Sequence, residues 1–340
     1  MWVSGVRYLV TGGAGFMGSN FVRYILGKYK DVTVLVYDKL TYAGRLENLH
    51  DVLKDRRLKF VRADICDMET LSKVVKEFQP DVIVNFAAET HVDRSINNPA
   101  PFVKTNILGV FTLLEVARKL ETPLIVHIST DEVYGDLWDR EPVDEDAPFR
   151  PSSPYAASKA AGDLLCQAYW RTYRLPVIIV RPSNNYGPYQ YPEKLIPRTI
   201  IRALHNMPIP LYGGGNQVRD WLYVGDFVEA LDIIIFRGAR GEAYNVPGFN
   251  EKRNREVVET ILKLMHKPLT LIKYVEDRPG HDRRYAMKGD KILSLGWRPK
   301  TPWIEGLKKT IEWYLKNRWW WEPLLNDTYF ASDIPWRREH

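Results

Sequence analysis

Between Arg7 and Arg181 the apolar positions fall into two alternating patterns. Short runs rich in β-branched residues, at Arg7–Val10, Val32–Tyr37, Lys59–Arg62, Val82–Asn85, Leu124–Ile128 and Val177–Arg181, read as strands. Between them Ser19–Lys28, Met68–Phe78, Pro101–Leu120 and Pro154–Tyr173 space their apolar residues as helices do. This alternation predicts βαβ units around a parallel sheet. Right-handed crossovers make a doubly wound, Rossmann-type α/β sheet the simplest topology.

After Arg181 the pattern changes. Asn184-Asn185-Tyr186-Gly187-Pro188 and Gly213-Gly214-Gly215-Asn216 read as loops, separated by a helix at Leu195–Leu204. Beyond them short strands and helices mix without a regular period. The expected division is a sheet domain over residues 1–181 that carries the chemistry, and a smaller mixed α/β lobe over 182–340. The lobe is expected to be interleaved with the last strands of the sheet and to bind substrate. The Trp-rich C-terminal stretch (Trp313, Trp319, Trp320, Trp321, Trp336) reads as a helix end packed on the body by large aromatics.

Hydrophobic residues make up 45% of the 340 positions and charged residues 26%, a balance that suits a globular chain with a large core. The net charge of +6 is dispersed along the chain, which argues against nucleic acid and suits a small anionic substrate. Cys66 and Cys166 show neither CxxC nor metal-ligand spacing, so free thiols in a reducing compartment are expected, and no metal site. The strand-like Val6–Val10 leaves no room for a signal peptide, and no apolar stretch approaches the roughly eighteen residues of a membrane span. The expected setting is the cytoplasm.

Gly12, Gly15 and Gly18 stand between the first strand and the first helix, the context in which a glycine turn can bring backbone N–H groups against a pyrophosphate. Asp38 ends the second strand, where a carboxylate can accept from adenosine ribose hydroxyls and repel a 2′-phosphate. That favours NAD over NADP, although Lys39 beside it could soften the repulsion. Asp64, past the third strand, meets the adenine edge or caps a loop.

Tyr155 and Lys159 lie four apart on a helix that Pro154 begins and Ser153 can cap, so they share a face. A nearby ammonium and a nicotinamide cation stabilise phenolate, which makes Tyr155 a plausible base. Thr130, at the end of the fifth strand, can bond the same substrate hydroxyl. Asp131 and Glu132 follow at once. An acid and a base beside a freshly made ketone can remove the proton alpha to it and expel a beta-hydroxyl as water.

The motifs TGGAGFMGSN (Thr11–Asn20), FAAETHVDRSI (Phe86–Ile96), STDEVYG (Ser129–Gly135) and SPYAASKA (Ser153–Ala160) continue into NNYGPYQYPEKLIP (Asn184–Pro197), RDWLYV (Arg219–Val224), RPGHDRRYA (Arg278–Ala286) and WWWEPLL (Trp319–Leu325). In that order, and nearly end to end, the chain resembles the extended short-chain dehydrogenase/reductase family and, within it, the nucleotide-sugar 4,6-dehydratases. Met17 where that family usually has Ile, and Tyr191 where it often has Phe, are slight departures away from the chemistry.

The resemblance implies a redox-neutral dehydration of a nucleoside-diphosphate hexose, dTDP-glucose foremost, in deoxysugar biosynthesis of the rhamnose type. Tyr155 would take the C4 hydroxyl proton as hydride passes to NAD, Glu132 the C5 proton, and Asp131 would protonate the departing C6 hydroxyl. Related epimerases and reductases carry small or neutral residues in place of the two acids. Phe16, Met17, Lys39, Thr41, Ile65, Ala87, Ala88 and Thr105 would join the glycines, Asp38, Asp64, Tyr155 and Lys159 around the cofactor.

On the substrate side the resemblance assigns Asn184, Arg219, Asn245 and Arg278 to the diphosphate, with His281 nearby. Whether Asn184 or Asn185 faces the phosphate stays open. Glu193 and Lys194 would sit by the sugar–phosphate region, and Pro210 and Tyr212 would wall the base. His91 and Asp93 would border the sugar or pack their loop. The family pairs its two long helices across a two-fold axis, so a homodimer built through a four-helix bundle is expected. Other NDP-hexoses such as UDP-glucose, and a nucleotide-sugar 4-epimerase activity, are the rival readings. Thymine and uracil differ by one methyl, and no single residue reads it.

Overall fold

The β-branched runs form strands where their pattern predicts them. The computed structural model describes residues 5–337. Among these the strands are β1 (Val6–Thr11), β2 (Val32–Asp38), β3 (Leu58–Arg62), β4 (Val82–Asn85), β5 (Ile125–Ile128), β6 (Val177–Pro182), β7 (Asn184–Tyr186), β8 (Ile209–Tyr212), β9 (Val218–Tyr223), β10 (Ala243–Val246), β11 (Glu251–Arg253) and β12 (Ile272–Val275). Seven join one parallel sheet in the order β10-β6-β5-β4-β1-β2-β3. β4 and β5 are buried along their whole length because helices cover both faces. The edge strand β3 instead exposes Lys59 and Arg62, charges that discourage pairing with another chain.

The helices Phe16–Lys28 and Val224–Arg237 bury Phe21, Ile25, Phe227 and Leu231 on one face of the sheet with Val10, Val34 and Val84. Leu71, Val75, Leu113, Leu114 and Cys166, from Met68–Phe78, Val110–Lys119 and Pro154–Tyr173, fill the other. Local chemistry sets the helix ends. Asp67 accepts the Thr70 N–H at 3.0 Å, and Gln79 closes the same helix with φ 49°. Ser153 accepts the Ala156 N–H at 3.1 Å, with Pro154 in the first turn.

The segment expected as one helix over Pro101–Leu120 runs over Ala100–Lys119 and carries a π-helical turn at Lys104–Gly109. Such turns often mark functional sites. This one sets Thr105 in the cleft described below and Asn106 against Glu89 and Ser158. By length and composition this rod is apolar enough to cross a membrane, contrary to the expectation that no stretch would be, and half of it is buried inside the molecule. Polar residues such as Thr105, Asn106 and Glu115 interrupt the apolar run, which is why scanning for an unbroken run passes over it.

The chain's second half returns to the sheet through β10, which pairs with β6. Around it β9 pairs β7 in parallel and β11 antiparallel, and β8 pairs β12. A separate core of Tyr186, Ile196, Ile200, Trp221, Ile261, Tyr314, Trp320 and Trp321 lies there. The Trp-rich tail packs as its composition suggests: Trp320 and Trp321 are fully buried, whereas Trp319 is 46% exposed.

Candidate active site

Strand order reverses between β4 and β1, and the crevice outside the carboxyl ends of the strands at such a point is where open α/β sheets bind ligands. One cleft lies there. Gly12, Gly15, Phe16, Met17, Gly18, Asp38, Lys39, Thr41, Asp64, Ile65, Ala87, Ala88 and Thr105 all line it. Gly12 has φ 68°, and a Cβ there would sit 2.5 Å from the Ala87 nitrogen; a Cβ on Gly18 would sit 2.4 Å from the Gly12 carbonyl oxygen. Only glycine lets this loop lie so close to its neighbours, and the first turn of Phe16–Lys28 has no side-chain cap on its N–H groups.

Asp38 accepts the Ala14 N–H at 2.9 Å and the Leu40 N–H at 2.8 Å. Burial raises its pKa, with both N–H groups working against the rise. Lys39 is committed elsewhere, to Asp64 at 2.7 Å. Burial acts to raise the Asp64 carboxyl, but the Lys39 and Cys66 bonds outweigh it and hold it low. The Lys39 ammonium, which could have softened Asp38 toward a 2′-phosphate, is thus turned toward Asp64. The cradle fits a dinucleotide with a free ribose hydroxyl.

At the other end of the cleft stand Thr130, Asp131, Glu132, Tyr155 and Lys159. Thr130 caps the short turn Asp131–Tyr134: its hydroxyl accepts the Glu132 N–H at 3.3 Å and donates to Asp131 at 3.2 Å. Lys159 donates to the Ile128 carbonyl at 2.7 Å, which moors the helix face to the end of β5. Burial lowers the Lys159 ammonium to about 8, against the pull of Asp163. Burial, helped by the Glu132 charge, raises the Tyr155 phenol.

The two acids differ. Burial and then the Glu132 charge push Asp131 well up, with Arg219 alone among the nearby cations opposing. Burial also raises Glu132, but Arg278, Arg219 and Lys194 all pull it back. Both carboxyls are thus raised, Asp131 further and with less cationic opposition than Glu132, an asymmetry of the kind acid and base partners use.

The substrate-side residues form a charged chamber around Glu132. Arg278 bonds Asp93 at 2.8 Å, and Tyr212 donates to the same carboxylate at 3.2 Å. Glu193 holds Arg94 at 2.8 Å and Tyr42 at 3.0 Å. Asn184, Glu193 and Lys194 line the cleft itself. Arg219 lies over the Tyr285 ring at 4.2 Å, and Tyr285 reaches Glu132 at 3.4 Å. His91 is buried between Asp93 and Glu193, 3.9 and 3.8 Å away. His281 is 2.6 Å from Asp277 and faces the Tyr212 ring, while burial lowers its pKa to about 4. Pro210 is buried in β8 two residues before Tyr212.

Asn245 is the exception. It is fully buried in β10, accepting from the Tyr134 hydroxyl at 2.8 Å and donating to the Val143 carbonyl at 3.4 Å. The expectation that it meets the diphosphate is corrected on this ground: its amide is spent holding the sheet edge to the segment over 134–143. A different amide, Asn254, has a buried Oδ1 with no partner among the described residues, and it follows β11, the neighbour of the strand carrying Arg219. Arg94, Tyr42 and Asn106 were also passed over. Nothing in their spacing marks them, because their importance comes from partners far away in the chain.

A family model described as GDP-mannose 4,6 dehydratase matches residues 9–310. A protein of Sinorhizobium fredii called a probable dTDP-glucose 4,6-dehydratase is 49% identical, covering 97% of this chain and 98% of its own. The dTDP-glucose 4,6-dehydratase of Bacillus anthracis, solved in complex with NAD, superposes with a TM-score of 0.89 at 47% identity, over 94% of this chain and 99% of that one. That of Streptomyces venezuelae, solved with NAD bound, gives 0.91 at 46% identity, over 94% and 100%. With Tyr155, Lys159 and the paired acids gathered over a glycine cradle, the chain belongs to the nucleotide-sugar 4,6-dehydratase family and groups with its dTDP-glucose 4,6-dehydratases.

Proposed function

We propose that the protein is an NAD-dependent hydro-lyase that converts dTDP-glucose to dTDP-4-keto-6-deoxyglucose, a step of deoxysugar biosynthesis. The observation that carries this reading is the differently tuned pair Asp131 and Glu132 in one cleft with Tyr155 and Lys159. Bound NAD would supply a hydride acceptor at C4 and a hydride donor at C6, with no net change in its own redox state.

The chain's own groups move the protons. Tyr155 takes the proton of the C4 hydroxyl while Thr130 orients that hydroxyl. The Lys159 ammonium and a bound nicotinamide cation would stabilise its phenolate against the rise that burial and Glu132 impose. Glu132, drawn toward ionisation by three cations, removes the C5 proton that the new ketone has acidified. Asp131, pushed toward its protonated form by burial and the Glu132 charge, delivers a proton to the departing C6 hydroxyl, which leaves as water. A proton returned to C5 then completes the product, and the proton taken by Tyr155 passes through solvent to reset Asp131. Lys194, Arg219, Arg278 and Asn184 face the diphosphate, with Glu193, His91 and His281 around them and Pro210 and Tyr212 toward the base. Gly12, Gly18 and Asp38 hold the cofactor tightly between turnovers. Residues up to 181 supply cofactor binding and chemistry, and the remainder mainly substrate binding. Dependence on NAD and a nucleotide sugar suits the cytoplasm.

Turnover of dTDP-glucose in deuterated water should yield a product lighter by one water and carrying deuterium at C5, read by mass and NMR. A product that keeps its C5 hydrogen and its oxygen would instead be that of a 4-epimerase, and the reading would fall. UDP-glucose and GDP-mannose in the same assay decide the base.

We also infer a homodimer. Val103, Leu108 and Phe111 on the rod and Leu164 on Pro154–Tyr173 are exposed apolar residues on two neighbouring helices, the stripe a four-helix bundle would cover. Sedimentation at micromolar concentration should give twice the 39.5 kDa chain mass; a monomer alone would end that reading.

A further inference from the structure

Of the three adjacent tryptophans, one reaches the cofactor loop. Trp321 donates its indole N–H locally, to the Tyr314 carbonyl at 2.8 Å, and Trp319 is largely exposed. Trp320 donates to Asn48 Oδ1 at 2.7 Å, a bond between buried groups 272 residues apart. Asn48 passes the contact on: its Nδ2 donates to the Ala14 carbonyl at 2.7 Å. Ala14 lies inside the glycine-rich turn, and its own N–H is bonded to Asp38. Arg45 runs beside this route, with its backbone N–H on the Ala14 carbonyl at 3.0 Å and its guanidinium on the Trp320 carbonyl at 2.9 Å.

We propose that Trp320 and Asn48 are positioning residues through which the C-terminal segment fixes the glycine-rich loop and thereby slows NAD release. The loop closes on the pyrophosphate with backbone N–H groups, so retention depends on how little that backbone moves. The two peptide units flanking the Ala14 Cα are both pinned, by Asp38 on the N–H and by Asn48 and Arg45 on the carbonyl. The Trp320 ring is itself fully buried, packed by Trp313 and Tyr314 with centroids 5.1 and 6.3 Å away. A loop that must not let go between turnovers is thus braced on the core of the other lobe. The inference rests on the dinucleotide reading of the cleft, which is tested separately by whether the wild-type protein retains NAD through gel filtration.

The test is the rate at which holoenzyme exchanges bound NAD for labelled NAD. Trp320→Phe keeps the ring packing and removes the donor; Asn48→Asp keeps an acceptor for Trp320 but cannot donate to Ala14. Each should speed exchange about tenfold, the scale of one buried hydrogen bond. Trp319→Phe should leave exchange unchanged, and kcat of Trp320→Phe at saturating NAD should stay within about twofold. The proposal is overturned if Trp320→Phe exchanges NAD as slowly as wild type. It is equally overturned if dTDP affinity and the melting of NAD-free protein fall in step with NAD retention, since general loosening would then account for the release.

Discussion

The two halves of the cleft meet negative charge by different means. Around Gly12–Gly18 the surface offered to a ligand is backbone, and Asp38 is the carboxylate that trims it. Around Glu132 the surface is side chains already paired with one another: Arg278 with Asp93 and Arg94 with Glu193. The first kind of site is built by one turn between a strand and a helix. The second needs residues separated by 185 and 99 positions to arrive together. Removing a group at the reacting end should therefore stop chemistry, whereas removing one from the paired chamber should weaken binding and spare the cofactor.

Tyr155→Phe should have the largest effect, a loss of about a thousandfold in the rate of C4 oxidation. A single turnover followed by cofactor absorbance reads it, and a loss under about tenfold would remove Tyr155 from the base role. Glu132→Gln should cost about a hundredfold or more in kcat but leave C4 oxidation running, so that reduced cofactor accumulates on the enzyme. Normal turnover by that variant would refute the division between Glu132 and Asp131.

Arg278→Met tests the contrast directly. Losing one charge-assisted contact in a buried site should weaken dTDP binding about ten- to a hundredfold. NAD exchange should not change. Calorimetry with dTDP and with NAD on the same protein separates the two, and equal losses for both ligands would show that the halves are not independent.

The contrast also explains what could be read in advance. Met68–Phe78, Pro154–Tyr173 and β4 fall where the apolar periodicity puts them, because burial against a parallel sheet is what that periodicity records. Gly12 and Gly18 announce themselves because nothing larger fits. Arg94 was illegible: its neighbours Tyr42, Glu193 and the pair Asp327 and Tyr329 come from three segments, and no local pattern joins them. The π turn at Lys104–Gly109 was hidden for a related reason, since apolar spacing looks alike for an α-helix and for one with a wider turn.

A smaller effect belongs to pH. Burial sets the Lys159 ammonium at about 8, below its ordinary value, so the charged form is lost as pH rises through 8. C4 oxidation should run about fivefold slower at pH 9 than at pH 8, as follows from titration of a single group. Lys159→Arg, which keeps its charge, should move that limb to higher pH; a limb that stays in place would belong to another group.

The smallest functional effect is expected at Asn245, and there the prediction concerns stability. Its Oδ1 accepts from the Tyr134 hydroxyl, which also receives the buried Arg181 guanidinium at 2.6 Å. Arg181 in turn bonds Asp163 at 2.8 Å, so the amide ends a buried polar chain that ties β10 and β6 to the helix carrying Tyr155 and Lys159. Asn245→Ala leaves the Tyr134 hydroxyl without its acceptor and should cost about 1–3 kcal/mol, measured by urea unfolding. The KM for dTDP-glucose should stay within about twofold, because that side chain is fully buried in β10. Asn254→Ala should behave the opposite way, raising KM with little change in stability, since its Oδ1 has no protein partner to lose. A tenfold rise in KM for Asn245→Ala at unchanged stability, on the scale of about 1.4 kcal/mol, would return Asn245 to the substrate site.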